Sequence, residues 1–149
     1  ISYGLFYNCK ALTSVHIPES VKAIYAEAFY GCENLEEVNI PQGVKSISGD
    51  TFSGCAGLKQ IILPESLEKI EYRAFIRCSS LQEIKVPENV TTIGFYAFYG
   101  CKSLQRVVLP KTMQSIENGV FNGCALIEID LPSGITEIYD STLFLFRIP

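Results

Sequence analysis

Several features that mark common protein classes are scarce or missing from this sequence. His16 is the single histidine. The chain lacks a Gly-x-Ser-x-Gly elbow, a Gly-x-Gly-x-x-Gly loop, a His-Glu-x-x-His helix and a P-loop, which are the local signatures of large enzyme and nucleotide-binding classes. We therefore expect that the chain is not an enzyme and that it holds no cofactor.

An excess of positive charge is also missing. Lys and Arg total 12 against 16 Asp and Glu, for a net charge of −4, which argues against nucleic acid as a partner.

Apolar runs such as Leu143–Phe146 fall far short of the roughly 18 residues that suggest a membrane span, so we expect no membrane insertion. The sequence opens with Ile1 and shows no basic segment followed by an apolar one, so we expect that any targeting segment has been removed or lies outside this fragment.

The residues that are present form a repeat. With 48% apolar and 19% charged residues over 149 positions, the chain can bury a core. All six cysteines are spaced 23 residues apart, at Cys9, Cys32, Cys55, Cys78, Cys101 and Cys124. Six of the seven prolines keep the same spacing except for a last interval of 22. Such regularity indicates a stacked repeat architecture and not a scattered disulfide set.

Two periodicities meet within each repeat. Val15-x-Ile17 and its equivalents alternate apolar and polar positions, which predicts a short strand that Pro18 and its equivalents end. Val21 and Ile24 then point inward again. The Ala28-Phe29 stretch, with glycine at 31, 54, 100 and 123, predicts a helical or 3₁₀ turn closed by a left-handed glycine, with Arg77 as the one exception in that column.

The pattern Leu12-x-x-Val15-x-Ile17-Pro18-x-x-Val21-x-x-Ile24, followed by Ala28-Phe29-x-Gly31-Cys32, resembles the BspA-like subclass of leucine-rich repeats. The resemblance covers Ile1 to about Leu143. It implies a leucine-rich-repeat solenoid, a right-handed superhelix of about six coils with short parallel β-strands on one face and the Ala-Phe turns on the other.

The family resemblance also implies a function. Members of this subclass are bacterial and protozoan surface proteins implicated in adhesion to host matrix or to other cells. The chain is therefore expected to be a non-catalytic module, at a cell surface or secreted, that binds a host matrix or cell-surface protein or a glycan. An intracellular scaffold for protein–protein interaction is the alternative, because buried cysteines survive in both compartments.

The cysteine column has three interpretations. Neighbouring strands lie about 4.8 Å apart, within the separation that a disulfide can span. A metal site lacks close Cys-x-x-Cys pairs and a second ligand type. Free cysteine is among the most buried residue types, so we favour a column of reduced, buried thiols in a chain with no metal site.

The outward positions of the strands are the candidate binding surface, because a repeat protein usually binds partners on its exposed sheet. On this sheet the apolar side chains of Ile62 and Val108 flank the basic side chain of Lys85, and acidic residues lie beside them. The alternative is a sheet that is only exposed to solvent and has no binding role. The candidate residues are Ile62, Lys85, Arg106, Val108, His16 and Glu83.

A second candidate surface is the row of aromatic residues near the turns. Tyr7, Tyr30 and Tyr99 share the position after the inward Phe. Ring stacking between coils explains such a row structurally, and a partner-binding edge is the alternative.

We expect a single domain over 1–149 that begins and ends within a longer array, because Ile1 aligns with Ile24. Phe144 and Phe146 either cap the last coil or precede further repeats.

Overall fold

A computed structural model describes residues 1–138, which form stacked repeats of parallel strands. We number the repeats 1 (residues 10–32), 2 (33–55), 3 (56–78), 4 (79–101), 5 (102–124) and 6 (from 125). The possible cap at Phe144 and Phe146 lies outside the described residues. No helix within those residues is long and apolar enough to cross a bilayer.

Ten strands of two or three residues make two rows of parallel pairs. The strand face contains β1 (Ser14–Val15), β2 (Glu37–Val38), β5 (Glu83–Lys85), β7 (Arg106–Val108) and β9 (Glu128–Ile129). The second row contains β3 (Ser46–Ile47), β4 (Lys69–Ile70), β6 (Thr92–Ile93), β8 (Ser115–Ile116) and β10 (Glu137–Ile138). Pairs such as Ser14 with Glu37 join residues 23 positions apart, so the repeat length sets the register.

The first row agrees with the strands that the sequence predicts, with one reduction. In repeat 3 the predicted strand is a single bridge between Asn39 and Ile62. The second row was not anticipated, because Val21 and Ile24 were expected only to point inward. The carbonyl of each of the six repeat prolines accepts a hydrogen bond from the N–H three residues later, as Val21 N–H donates to Pro18 O at 3.0 Å. This turn redirects the chain from the first row to the second.

The turns at the opposite edge differ from the expected helical or 3₁₀ turn, since residues 1–138 contain no helix. Alternate N–H groups donate to different repeats. Tyr30 N–H bonds Glu27 O within its own turn at 3.0 Å, whereas Phe29 N–H bonds Thr51 O of the next repeat at 2.9 Å. A helix would need consecutive internal bonds, so the bonds between repeats replace it.

Left-handed residues make this alternation possible. The glycine column is left-handed as expected, and Arg77, which interrupts it, adopts the same conformation with φ +61°. A second left-handed column, which includes Glu27 and Tyr96, lies four residues before the first. Non-glycine residues lose about 1 to 2 kcal/mol in this conformation, so the bonds between repeats must offset that cost.

Phenylalanines form the centre of the core behind these turns. The rings stack nearly parallel with centroids 5.1 to 5.8 Å apart, in the order Phe6, Phe29, Phe52, Phe75, Phe98 and Phe121. Phe52 and Phe75 are fully buried. Every buried side-chain nitrogen or oxygen of the described residues has a hydrogen-bond partner.

The cysteines line a parallel row and are all free thiols. Each thiol from Cys32 onward donates to the carbonyl of the phenylalanine 26 residues earlier, as Cys78 Sγ does to Phe52 O at 3.1 Å. The column therefore joins neighbouring repeats by hydrogen bonds as well as filling space. The expectation that all six are buried was wrong for Cys9, which is exposed and precedes repeat 1, and for Cys124, which is half-buried at the end of repeat 5.

Phenylalanine truncation tests the core. Phe52→Ala or Phe75→Ala should lower the free energy of unfolding by about 3 to 5 kcal/mol, because each removes a buried ring and leaves a cavity. Lys85→Ala should cost less than about 1 kcal/mol, because that side chain is exposed. Urea denaturation followed by circular dichroism measures both, and equal losses would contradict the observed register.

Thiol reactivity tests the cysteine row. In native protein, a thiol reagent should modify Cys9 rapidly and Cys124 more slowly, while Cys32, Cys55, Cys78 and Cys101 stay protected. Unfolding without reductant should release close to six reactive thiols. A count near zero under those conditions would show disulfides in place of free thiols.

Stability at alkaline pH tests the burial of the same row. Burial raises the pKa of the Cys32 thiol to about 11 and raises the pKa of Cys55, Cys78 and Cys101 well above the ordinary value. Unfolded thiols ionise near pH 8.5 to 9, so the unfolded state binds fewer protons than the folded state above that pH. The free energy of unfolding should therefore decrease from about pH 9 upward, by up to about 1.4 kcal/mol per pH unit for each protected thiol.

The matched control for this decrease is Cys55→Ala with Cys78→Ala. Removing two protected thiols should make the decline shallower between pH 8.5 and 10.5, whatever the stability of the variant at neutral pH. The free energy of unfolding of the native chain and of the double variant is measured at each pH by urea denaturation in reductant. If it falls equally steeply with pH in both proteins, the two thiols do not cause the decrease.

Candidate functional site

The strand face presents its outward side chains on a fixed frame. In β5 and β7, Ile84 and Val107 are buried, whereas the residues on either side of them are exposed. Alternate side chains of a strand point to opposite faces, so the inward residues anchor the outward ones. All six candidate residues are exposed, and among them Ile62 is 82% and Val108 48% exposed.

Four of the six candidates lie together. Glu83 is the register partner of Arg106, and Lys85 is the partner of Val108, so these residues form one patch across β5 and β7. Lys85 and Arg106 place two positive charges on it, beside the carboxylate of Glu83.

The other two candidates lie farther along the face. The strand pairing of the face is interrupted between Ile62 and β5, because within residues 1–138 no strand pairing joins Ile62 to Lys85. A shallow depression of about 220 Å³ lies there, bordered by Ile62, Glu83 and Lys85. His16 is in repeat 1 and borders another depression of about 480 Å³ with Asn39 and Ile62. The six residues therefore follow the face along its length and do not form one compact patch.

Asn39 shows why an outward position does not always mean an available side chain. Its amide oxygen accepts from Ile17 N–H at 2.7 Å, and its amide nitrogen donates to Ile17 O at 2.8 Å. Near it, Lys59 Nζ lies 3.0 Å from a carboxylate oxygen of Glu36. The polar groups of this part of the face are thus partly used within the chain.

The sequence analysis named the outward strand positions as the candidate surface but left four informative neighbours out of the site. A depression of about 590 Å³ is bordered by Glu83, Arg106 and Val108 together with Ile127, Glu128, Asp130 and Gln105. Ile127 is 75% exposed. The signal was their outward position on the strands, with Gln105 next to Arg106 and the other three residues one repeat beyond it.

The aromatic residues near the turns contact each other and the backbone. Tyr7 stacks on Tyr30 with centroids 4.8 Å apart, and Tyr72 stacks on Phe95 at 5.7 Å. The Tyr72 ring also lies close to Gly49, where an added Cβ would meet ring atoms at 2.5 Å. Stacking between repeats therefore accounts for the positions of these rings, although Tyr72 is still 44% exposed.

Within the described residues, no group of three or more His, Cys, Asp or Glu side chains converges as a metal site would require. An ion pair between the buried carboxylate of Asp50 and the half-exposed guanidinium of Arg73 is structural. Arg73 donates two hydrogen bonds to Asp50 at 3.0 and 3.1 Å, and Asp50 raises the pKa of the guanidinium through those bonds. Both residues are left-handed turn positions, so this pair supports the turns.

Comparison with known proteins agrees with the repeat architecture. The family model for the BspA type leucine rich repeat region matches residues 1–101 and 69–146 with six copies. No protein of curated function matches the sequence.

Three solved bacterial structures are similar. A leucine-rich repeat protein from Bacteroides ovatus has a TM-score of 0.90 and 45% identity over 93% of this chain and 36% of its own. A leucine rich cell surface protein from Faecalibacterium prausnitzii has a TM-score of 0.85 and 37% identity, over 91% of this chain and 37% of its own. A leucine rich repeat protein of T. pallidum has a TM-score of 0.76 and 35% identity, over 80% of this chain and 59% of its own. The chain thus spans little more than a third of the first two.

Proposed function

The chain belongs to the BspA-type leucine-rich repeat family, and we propose that it is a non-catalytic recognition module that binds a protein or a glycan through its strand face. The observation that supports this most directly is the exposed, mixed patch of Glu83, Lys85, Arg106 and Val108 on strands whose alternate residues are buried. The right-handed solenoid expected from the family pattern supplies a frame of this kind.

Rigidity favours this face over a loop as a binding surface. Both strands of the patch are paired, and their inward residues Ile84 and Val107 belong to the core. A partner therefore orders few additional groups when it binds, and the entropic cost of association is lower than for a mobile loop. The exposed apolar side chains of Ile62 and Val108 add area that gains from burial.

A cell-surface location, with adhesion as the role, is the proposal for the whole protein. It rests on the family and on the Faecalibacterium prausnitzii relative, which is described as a leucine rich cell surface protein. The six free thiols do not decide between this location and the alternative, an intracellular scaffold, because buried thiols persist in both compartments. Labelling of intact cells with a reagent that cannot cross membranes, followed by detection of the full-length protein, distinguishes the two locations.

A change of four residues tests the strand face. Ile62→Ser, Lys85→Glu, Arg106→Glu and Val108→Ser together should leave the fold intact, because all four side chains are exposed. Binding to panels of immobilised matrix proteins and glycans should decrease by at least about tenfold for each ligand that the native chain binds, since losing hot-spot residues typically costs 2 kcal/mol or more. Thermal unfolding by circular dichroism verifies the fold.

The matched control replaces aromatic residues near the turns, by Tyr30→Ala with Tyr99→Ala. This variant should bind the panel like the native chain if the strand face is the binding surface. Loss of binding in this variant, together with retained binding in the four-residue variant, would show that the aromatic row is the true surface.

A further inference from the structure

The two halves of the strand face use their charged and polar side chains differently. In repeats 1 to 3, Glu36 pairs with Lys59, and Asn39 bonds the backbone of Ile17, whereas Glu37 has no such bond within residues 1–138. In repeats 4 to 6, none of the five charged side chains of the face forms an ion pair or a side-chain hydrogen bond with any residue in that range. These are Glu83, Lys85, Arg106, Glu128 and Asp130. Residues 1–138 therefore leave the hydrogen-bonding groups of these five side chains unused.

The central row of this half alternates in sign. Glu83 pairs in register with Arg106, and Arg106 pairs in register with Glu128, so a guanidinium stands between two carboxylates on adjacent strands. Elsewhere in residues 1–138, some opposite charges one repeat apart do form ion pairs. Lys45 with Glu68 and Lys10 with Glu33 each meet at 2.7 Å. The opposite charges of Glu83, Arg106 and Glu128 do not, and we refer to these three residues as the charge row.

The sign pattern discriminates between classes of partner. A polyanion, such as an acidic glycan, is attracted by the positive charges of Lys85 and Arg106. It is also repelled by the carboxylates of Glu83 and Glu128, which lie on the strands on either side of Arg106. A purely basic partner meets the converse conflict at Arg106. A partner that alternates in sign satisfies all three positions of the charge row at once.

Apolar and amide groups surround the charge row. Val108 is 48% exposed and Ile127 is 75% exposed. Gln82 and Gln105 are exposed and form no side-chain hydrogen bond with another described residue. Arg with apolar neighbours is typical of the centres of protein interfaces, and side-chain amides suit the backbone groups of a bound chain.

On this basis, and resting on the proposed function, we propose that the half of the strand face in repeats 4 to 6 binds an extended protein segment whose exposed side chains run basic, acidic, basic. The acidic side chain pairs with Arg106, and the two basic side chains pair with Glu83 and Glu128. Adjacent strands lie about 4.8 Å apart, so the backbone positions of Glu83 and Glu128, two strands apart, are separated by about 10 Å. Alternate side chains of an extended chain are about 6.6 Å apart on one face, and the long stems of Lys and Arg close the difference.

Three synthetic peptides test the pairing. One carries Lys-Thr-Glu-Thr-Lys, one carries the inverse Glu-Thr-Lys-Thr-Glu, and one carries Gln at all three charged positions. Each is displayed on tetravalent streptavidin so that weak binding is measurable. At about 50 mM NaCl, the native chain should bind the first about tenfold more tightly than the second. The preference should vanish near 1 M NaCl, where charges are screened beyond about 3 Å.

A charge reversal makes the result independent of any loss of stability. The triple variant Glu83→Lys, Arg106→Glu, Glu128→Lys should prefer the inverse peptide by a similar factor, which an unfolded chain could not do. Glu68→Lys on the second row changes the net charge by the same amount and should keep the native preference. A native chain without preference, or a triple variant that fails to reverse it, would overturn the inference.

The same measurements separate this inference from the proposed function. If the native chain binds the matrix and glycan panels through the strand face but shows no peptide preference, the charge-row inference is wrong and the proposed function stands. If it binds neither the panels nor the peptides, both are wrong. Preference for the basic, acidic, basic peptide with reversal in the triple variant supports both.

Discussion

Backbone hydrogen bonds between consecutive repeats require each residue to stand opposite its equivalent about 23 positions away. At the turns, alternate N–H groups leave their own repeat to meet this requirement, as Phe29 does with Thr51. The left-handed residues, the stacked phenylalanines and the row of thiols all follow from it. Equivalent residues of consecutive repeats lie next to each other, so a side chain that packs well between one pair of repeats must also pack between the other pairs.

This constraint explains how much of the fold the sequence predicts. Strict spacing of Cys, Pro and alternating apolar residues indicates the repeat, the parallel strands and the buried phenylalanines, because each depends on a side chain of a particular type. The non-helical turns were not predictable in the same way. Residues such as Tyr96 and Arg77 have no intrinsic preference for a left-handed conformation, and the neighbouring repeats impose it. The second strand row likewise arises from backbone pairing that side-chain alternation did not signal.

The candidate site is predictable to a lesser degree. Alternation correctly places Glu83, Lys85, Arg106 and Val108 outward, but it cannot say which outward groups are already bonded. Asn39 is outward in pattern yet committed to the backbone of Ile17, whereas Glu83 and Arg106 share a register and remain apart. Side-chain length and rotamer decide between these outcomes, and a pattern of residue types does not encode them.

The bond from each cysteine thiol to the phenylalanine carbonyl of the preceding repeat has a genetic consequence. Because the same donor and acceptor recur at every boundary from Cys32 to Cys124, any repeat offers its neighbours the same partners. Unequal recombination that adds or removes whole 23-residue units would keep every such bond. The outward residues would be reordered at the same time, so such recombination would change the outward surface without altering the core.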